Sequence, residues 1–374
     1  MSRIGERLLA LALAVLAAAG QPKDKPAAPA EQYQALVKVY QDAMQTYSEA
    51  LGKAKTYEER LKIFDEVYPK PEKLAPRFLE LAEKYPQDPV AFDALTWIVV
   101  NCVRSPAPIP ARAKAVAILS QDHVRSEKLG PMCQNLANGY DEETAILLTA
   151  ILDKNPSKDV QAEASVALVQ QYGRRLEIVK RLHDNPETGS GFASAYGLEA
   201  VERLKKADTE NLAAQGKLSS KQFAENYLSR MKPDRIAQLC QALSYSTDEV
   251  SETLLRTLLE KDSRREVQGL ASLTLAQELK RRLEMTPTGS EAIASQVRTE
   301  SEKLLRRASD QFGDVRLSVG GTVGDKAQLE LDDILHLAVG KVAPEIEGQD
   351  QDSKKFKLSD YRGKVVLLDF WHQY

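Results

Sequence analysis

Cysteine is scarce. Three residues, Cys102, Cys133 and Cys240, serve a chain of 374, and none belongs to a Cys-x-x-Cys pair, so an even-numbered disulfide framework is not expected. Histidine is nearly as rare. His123, His183, His336 and His372 have no second histidine, cysteine or paired carboxylate at metal-ligand spacing, which leaves a zinc or iron site without support. There is no Gly-x-Ser-x-Gly elbow and no Ser/His/Asp grouping. Gly320 to Lys326 is glycine-rich but lacks the Gly-Lys-Ser/Thr ending of a phosphate loop, and reads as a flexible loop before a helix. No residue is therefore assigned as catalytic, cofactor-binding or metal-binding, and no cofactor is expected. One-sided charge is missing too. The net charge is −3 with both signs scattered, and Arg281–Arg282 and Arg306–Arg307 sit among glutamates as solvated helix faces. Without a basic stripe, nucleic acid is not an expected partner.

What is present is ordinary globular material, 43% hydrophobic and 28% charged, with room for two or three domains. The first twenty residues stand apart. Arg3 and Arg7 precede an unbroken apolar run from Leu8 to Ala19, and Ala17-Ala18-Ala19-Gly20 supplies small residues for cleavage. Twelve apolar residues are too few to span a bilayer, so residues 1–20 read as a secretory signal peptide, after whose removal no stable membrane span remains. The expected location is periplasmic or extracellular. No cysteine follows the run to take a lipid. Residues 21–30 carry three prolines and read as a linker.

An internal repeat sets the expected architecture. Residues 133–172 align without a gap on 240–279, with fifteen of forty positions identical. Cys133-Gln134-x-Leu136 matches Cys240-Gln241-x-Leu243, Asp141-Glu142 matches Asp248-Glu249, and Leu147-Leu148 matches Leu254-Leu255. Matching slots favour buried structural thiols at Cys133 and Cys240, with a disulfide or a reactive thiol as the alternatives. A fainter copy lies 70 residues upstream, where Leu81, Lys84, Pro86, Val90 and Ala94 match Ile151, Lys154, Pro156, Val160 and Ala164. Leu304 to Ala308 offers the first helix of a weak fourth copy.

Each unit reads as helix, turn, helix. Asp141 caps the first helix, Ile146, Leu147, Ile151 and Leu152 recur at helical spacing, and Asn155-Pro156-Ser157 ends it. Ser157 caps the second helix, whose Val160, Ala164, Ala167 and Leu168 face inward. One such hairpin cannot cover its own apolar face, so neighbours must stack on it, as in tetratricopeptide-like α-solenoids, although the strict 34-residue signature is absent. Tyr33, Leu36, Val37, Tyr40, Met44, Tyr47 and Leu51 form a stripe on a long N-terminal helix, best explained by packing on the next helix. Thr56 and Glu59 form a capping box. Asn185 to Gly191 reads as a loop. The fold class expected is mainly α, helical-hairpin repeats over 31–338, followed by a short β segment.

That segment begins near Val339. Phe356 and Leu358 alternate with lysines as a half-buried strand should, and Val365 to Leu368 suits a central strand buried on both faces. Gly340, Ala343, Pro344, Leu358, Gly363, Lys364, Phe370 and Trp371 stand in the register Gly-x-x-Ala-Pro, Leu-Ser-Asp-x-Arg-Gly-Lys, Val-Val-Leu-Leu-Asp-Phe-Trp. In these residues 339–374 resembles the start of the redoxin family, in particular TlpA-like thiol–disulfide oxidoreductases and related thiol peroxidases. The helical region resembles the N-terminal extensions of exported planctomycete redoxin proteins.

The resemblance implies a thioredoxin-type fold, an exported oxidoreductase, and protein clients or redox partner proteins, with homo-oligomerisation through the helices open. Two departures qualify it. Ser353 stands where the family has the glycine of an Asp-Gly turn, which implies a different hairpin turn. Tyr374 takes the aromatic position before the Cys-x-x-Cys motif. A domain truncated there lacks the low-pKa thiolate and is expected to be inactive. A selenocysteine codon read as stop, a nonsense change of a cysteine codon, or a frameshift would each account for that ending. The alternative function is a non-catalytic α-solenoid scaffold for protein–protein interaction.

Overall fold

Proline at the first helical position and an acidic first turn start the first helix, α1 (Pro29–Lys53), with Glu31 beside the helix N-terminus. These coordinates form a computed structural model that describes residues 27–103, 109–185, 187–284, 291–318, 320–337, 341–350 and 352–369. The fold is mainly helical, 75% of residues, with one two-stranded antiparallel sheet near the C-terminus. The expected signal peptide and most of the expected linker lie outside the described residues. Pro29 and Ala30, expected in the linker, are helical instead.

The chain divides into two compact units: the first runs to Lys232 and takes in Ser246–Asp262, and the second takes Pro233–Tyr245 and the chain from Ser263 onward. In the first, the aromatic stripe of α1 does pack. Tyr33 meets Phe78 edge-on at 5.8 Å, Tyr40 meets Trp97 at 5.2 Å, and Tyr47 meets Tyr68 at 5.1 Å. Helix α2 (Tyr57–Val67) begins with the expected capping box, in which the Glu59 amide donates to Thr56 Oγ1 at 3.1 Å and the Thr56 amide to Glu59 Oε2 at 3.3 Å. Helices α3 (Ala75–Lys84), α4 (Pro89–Asn101), α5 (Pro110–Ile118) and α6 (Leu129–Leu136) follow.

The helix starts keep the 107-residue spacing of the matched segments. Helix α7 (Glu142–Lys154) and α8 (Lys158–Asp184) flank the Asn155-Pro156-Ser157 stop. Asp141 caps α7 by accepting from the Thr144 amide at 2.8 Å, and Ser157 caps α8 by accepting from the Val160 amide at 3.5 Å. Asn155 does more than end a helix. Buried to 1% exposure, it donates to the carbonyls of Val124 at 2.7 Å and Ser126 at 3.0 Å, while its own carbonyl accepts from Gln161 Nε2 at 2.6 Å. Every polar atom so satisfied keeps a buried turn from costing its desolvation.

After α8 the expected loop over 185–191 is shorter than the composition implies. Helix α9 (Thr188–Tyr196) starts inside it, with the Thr188 hydroxyl donating to the Asn185 carbonyl at 2.6 Å. Gly189 and Gly191 weaken a helix in isolation but not one packed on α8 and on α10 (Leu198–Lys205). Helix α11 (Thr209–Asn226) and, beyond α12 (Pro233–Leu243) of the second unit, α13 (Glu249–Lys261) complete the first. Helices α7 and α13 have the same length and the same capping aspartate, 107 residues apart, and α3 ends at Lys84 as they end at Lys154 and Lys261.

In the second unit α12 packs on α14 (Arg265–Glu284), and α14 on α15 (Glu291–Phe312) and α16 (Val323–Asp332). The glycine-rich segment is a loop only as far as Thr322; Val323 to Lys326, expected in the loop, already belong to α16, which Thr322 caps, its hydroxyl accepting from the Asp325 amide at 3.1 Å. At the base of that loop two backbones touch. The Gly324 amide donates to the Gly313 carbonyl at 3.1 Å, and a Cβ at Gly324 would lie 2.8 Å from the Gly313 Cα.

The β segment is a hairpin, β1 (Glu347–Gln349) paired antiparallel with β2 (Lys355–Lys357), Gly348 opposite Phe356. Its turn is the different one that Ser353 implied. Ser353 adopts the left-handed φ of 62° that glycine takes without cost. Asp350 pays part of that back, accepting from the amides of Asp352 and Lys354 at 3.0 and 2.9 Å through Oδ1. Ser353→Gly is expected to stabilise the hairpin by ~1 kcal/mol, read as greater protection of the Asp350 and Leu358 amides, which donate to the Lys354 and Ile346 carbonyls at 3.0 and 2.9 Å. Past Gly363 (φ 83°) the chain has no regular secondary structure through Asp369, and the expected buried strand is not found: Val365 and Leu367 are fully exposed, with no ladder partner among the described residues. Burial would be worth about 1.5–3 kcal/mol for each of these side chains, and nothing described here supplies it.

Candidate functional site

The first unit buries an arginine. Arg112, on the first turn of α5, keeps only 6% exposure although no arginine is stable in a core without a counter-charge. Its partner is the α7 cap: Nη1 donates to Asp141 Oδ1 at 2.8 Å and Nη2 to Thr144 Oγ1 at 2.8 Å. The Thr144 hydroxyl passes its own proton on to Asp141 Oδ2 at 2.9 Å, and Gln171 Nε2 donates to the Asp141 carbonyl at 2.9 Å. Burial disfavours the charged Asp141 carboxylate. The Arg112 guanidinium and the Thr144 amide and hydroxyl outweigh that, so the carboxyl titrates below its ordinary value. Sequence identified Asp141 as a cap but not its ion-pair partner, 29 residues upstream on another helix.

Two clefts flank α5. On the side of α7 a cavity of about 100 Å³ is lined by Cys102, Arg112, Tyr140, Glu143, Arg175 and Arg203, among others. Its guanidinium groups are matched by Asp141, Glu142 and Glu143, so it favours neither sign of ligand. On the side of α3 a more open groove of about 530 Å³ runs between α3 and the start of α5. Pro76, Leu79, Glu80 and Glu83 come from α3 at helical spacing, and Ile109, Pro110 and Lys114 from the facing wall.

No protein-family model matches this chain, and neither does any curated protein or solved structure. Chemistry has to be read from the residues alone.

The three cysteines are buried thiols on or beside helices. Burial pushes the Cys240 thiol up to about 12, against the smaller opposing effect of its hydrogen bond with Thr274, which makes it a poor nucleophile at neutral pH. Cys133 occupies the matching position at 0% exposure. His183 Nε2 lies 2.9 Å from the Lys205 carbonyl, and His123 sits against the Phe92 ring. Among the described residues no group of His, Cys, Asp and Glu could hold a metal ion, and no helix is long and apolar enough to cross a membrane.

Of the residues that carry the redoxin resemblance, Ala343, Pro344, Leu358, Gly363 and Lys364 are described, and Gly340, Phe370, Trp371 and Tyr374 are not. Leu358 to Tyr361 forms a single tight turn directly after β2. The Ser359 amide donates to Glu345 at 2.9 Å, which ties that turn back to the residue after Pro344 and holds the Glu345 carboxyl below its ordinary value.

Proposed function

We propose that residues 339–374 are the opening of a redoxin-type domain and that the helical region is an exported, α-solenoid-like carrier that presents it to protein clients. The observation that carries this reading is order. A hairpin, a Leu-Ser-Asp turn, a left-handed glycine and an exposed apolar run follow one another at Glu347–Lys357, Leu358–Tyr361, Gly363 and Val365–Asp369, each on its own motif. Thiol–disulfide exchange would then be supplied by residues following Tyr374, with a Cys or Sec at the N-terminus of the next helix. The test is to assay a longer product, continued past Tyr374 in the natural reading frame, for thiol reductase activity. Activity that disappears when the restored Cys or Sec becomes serine supports the proposal. A continuation past Tyr374 without a Cys or Sec at that position, or a longer product without reductase activity, overturns it.

A second reading, a scaffold that binds partners through its helices, is favoured by the matching helix–turn–helix boundaries and by the clefts beside α5. Partner capture that survives deletion of 340–374 supports it; capture that vanishes with the deletion removes it.

A further inference from the structure

We infer that the groove between α3 and α5 docks an extended peptide segment in which lysine or arginine residues flank an apolar one. This goes beyond the redox reading and rests on the scaffold reading. Size is the first argument. At about 530 Å³ the groove falls in the range of pockets that take several side chains. The floor is the second. Leu79 and Ile109 are half-buried there, with Pro76 and Pro110 at the edges, and all four lack a side-chain hydrogen-bonding group, so an apolar side chain is the natural occupant.

Charge decides the flanks. Among the described residues Glu72, Glu80 and Glu83 line the groove with one cation, Lys114, and that lysine is already committed to an ion pair with Glu83. Glu80 is exposed and makes no ion pair among the described residues. A helix N-terminus attracts anions, and the α5 N-terminus opposes this preference to that extent. That opposition is small: Pro110 has no amide hydrogen, and the amides of Arg112 and Ala113 both donate to the Ile109 carbonyl, at 2.9 and 3.1 Å, which leaves the first-turn amide of Ala111. The groove therefore presents a carboxylate-rich wall over an apolar floor, and complementary charge sets both the encounter rate and the choice of partner.

The probe is a dye-labelled hexapeptide, Lys-Leu-Lys-Pro-Leu-Lys, with the Glu-for-Lys peptide as control, titrated by fluorescence anisotropy against the full chain. Saturable binding of the basic peptide that weakens with salt is expected, with none of the acidic one. Glu80→Lys should weaken it by about tenfold at an unchanged thermal melt, since the residue is exposed, and Lys114→Glu should tighten it. Binding that ignores Glu80→Lys, equal binding of the acidic peptide, or no binding of either overturns the inference. Partner capture that persists on the helical region while Glu80→Lys has no effect places the fault in the groove and leaves the scaffold reading standing.

Discussion

Arg112→Met is expected to destabilise the first unit by about 3–5 kcal/mol, read as a shift of its urea midpoint at neutral pH. The loss comes from what is left behind. Arg112 is nearly fully buried and satisfies both Asp141 and Thr144, so removing it strands a carboxylate at the start of α7. Asp141 retains 17% side-chain exposure, which puts the expected value at the lower end of that range. Arg112→Met combined with Asp141→Asn should recover part of the loss, because asparagine still caps a helix and carries no charge to strand.

The acid limb gives the same interaction a second signature. Asp141 titrates below its ordinary value of 3.8 in the folded protein, so its contribution is fully present above that value and is lost as pH falls through the depressed one. Without Arg112, burial alone acts on the carboxyl and raises it. The variant should then lose less stability between pH 5 and about pH 3 than the parent does. An unchanged acid limb would mean that the ion pair does not govern Asp141.

Phe78→Ala carries the other large effect, again about 3–5 kcal/mol. Phe78 is 0% exposed and stacks on Trp97 with ring centroids 3.9 Å apart, while Tyr33 of α1 meets it edge-on. Truncation opens a cavity where α1, α3 and α4 converge and removes an aromatic pairing worth a further ~1 kcal/mol. The chain has two tryptophans, Trp97 and Trp371, so a Trp371→Phe background leaves Trp97 as the sole reporter. In it, Phe78→Ala should lower the fluorescence-detected melt and shift Trp97 emission to the red. A melt within a degree of the parent would show that the three helices repack around the void.

Local signals carried the helices well. Thr56 with Glu59, Asp141 and Ser157 are caps because their side chains reach amides within three residues, and such contacts are written in adjacent sequence. The α1 stripe was legible because its period matches the helix. Arg112 was not: an arginine in an ordinary amphipathic pattern reads as solvated until the partner helix is placed over it. Asn155 read as a stop and proved to be a three-way polar junction, for the same reason. Thr188 to Gly191 looked like a loop because glycine content speaks for the isolated chain, while packing on α8 decided the outcome. The clefts beside α5 had no sequence signal, since their walls come from segments dozens of residues apart.

The touching backbones of Gly313 and Gly324 bear on how this chain can change over evolutionary time. Any side chain at position 324 must push into the peptide at 313, and one at 313 would lie 2.5 Å from the Ser309 carbonyl, so each position is held by its own crowding while the loop between them keeps its closure. Descendants would be free to lengthen or recolour the exposed tip, but each of the two glycines at its neck has to persist for as long as that closure does.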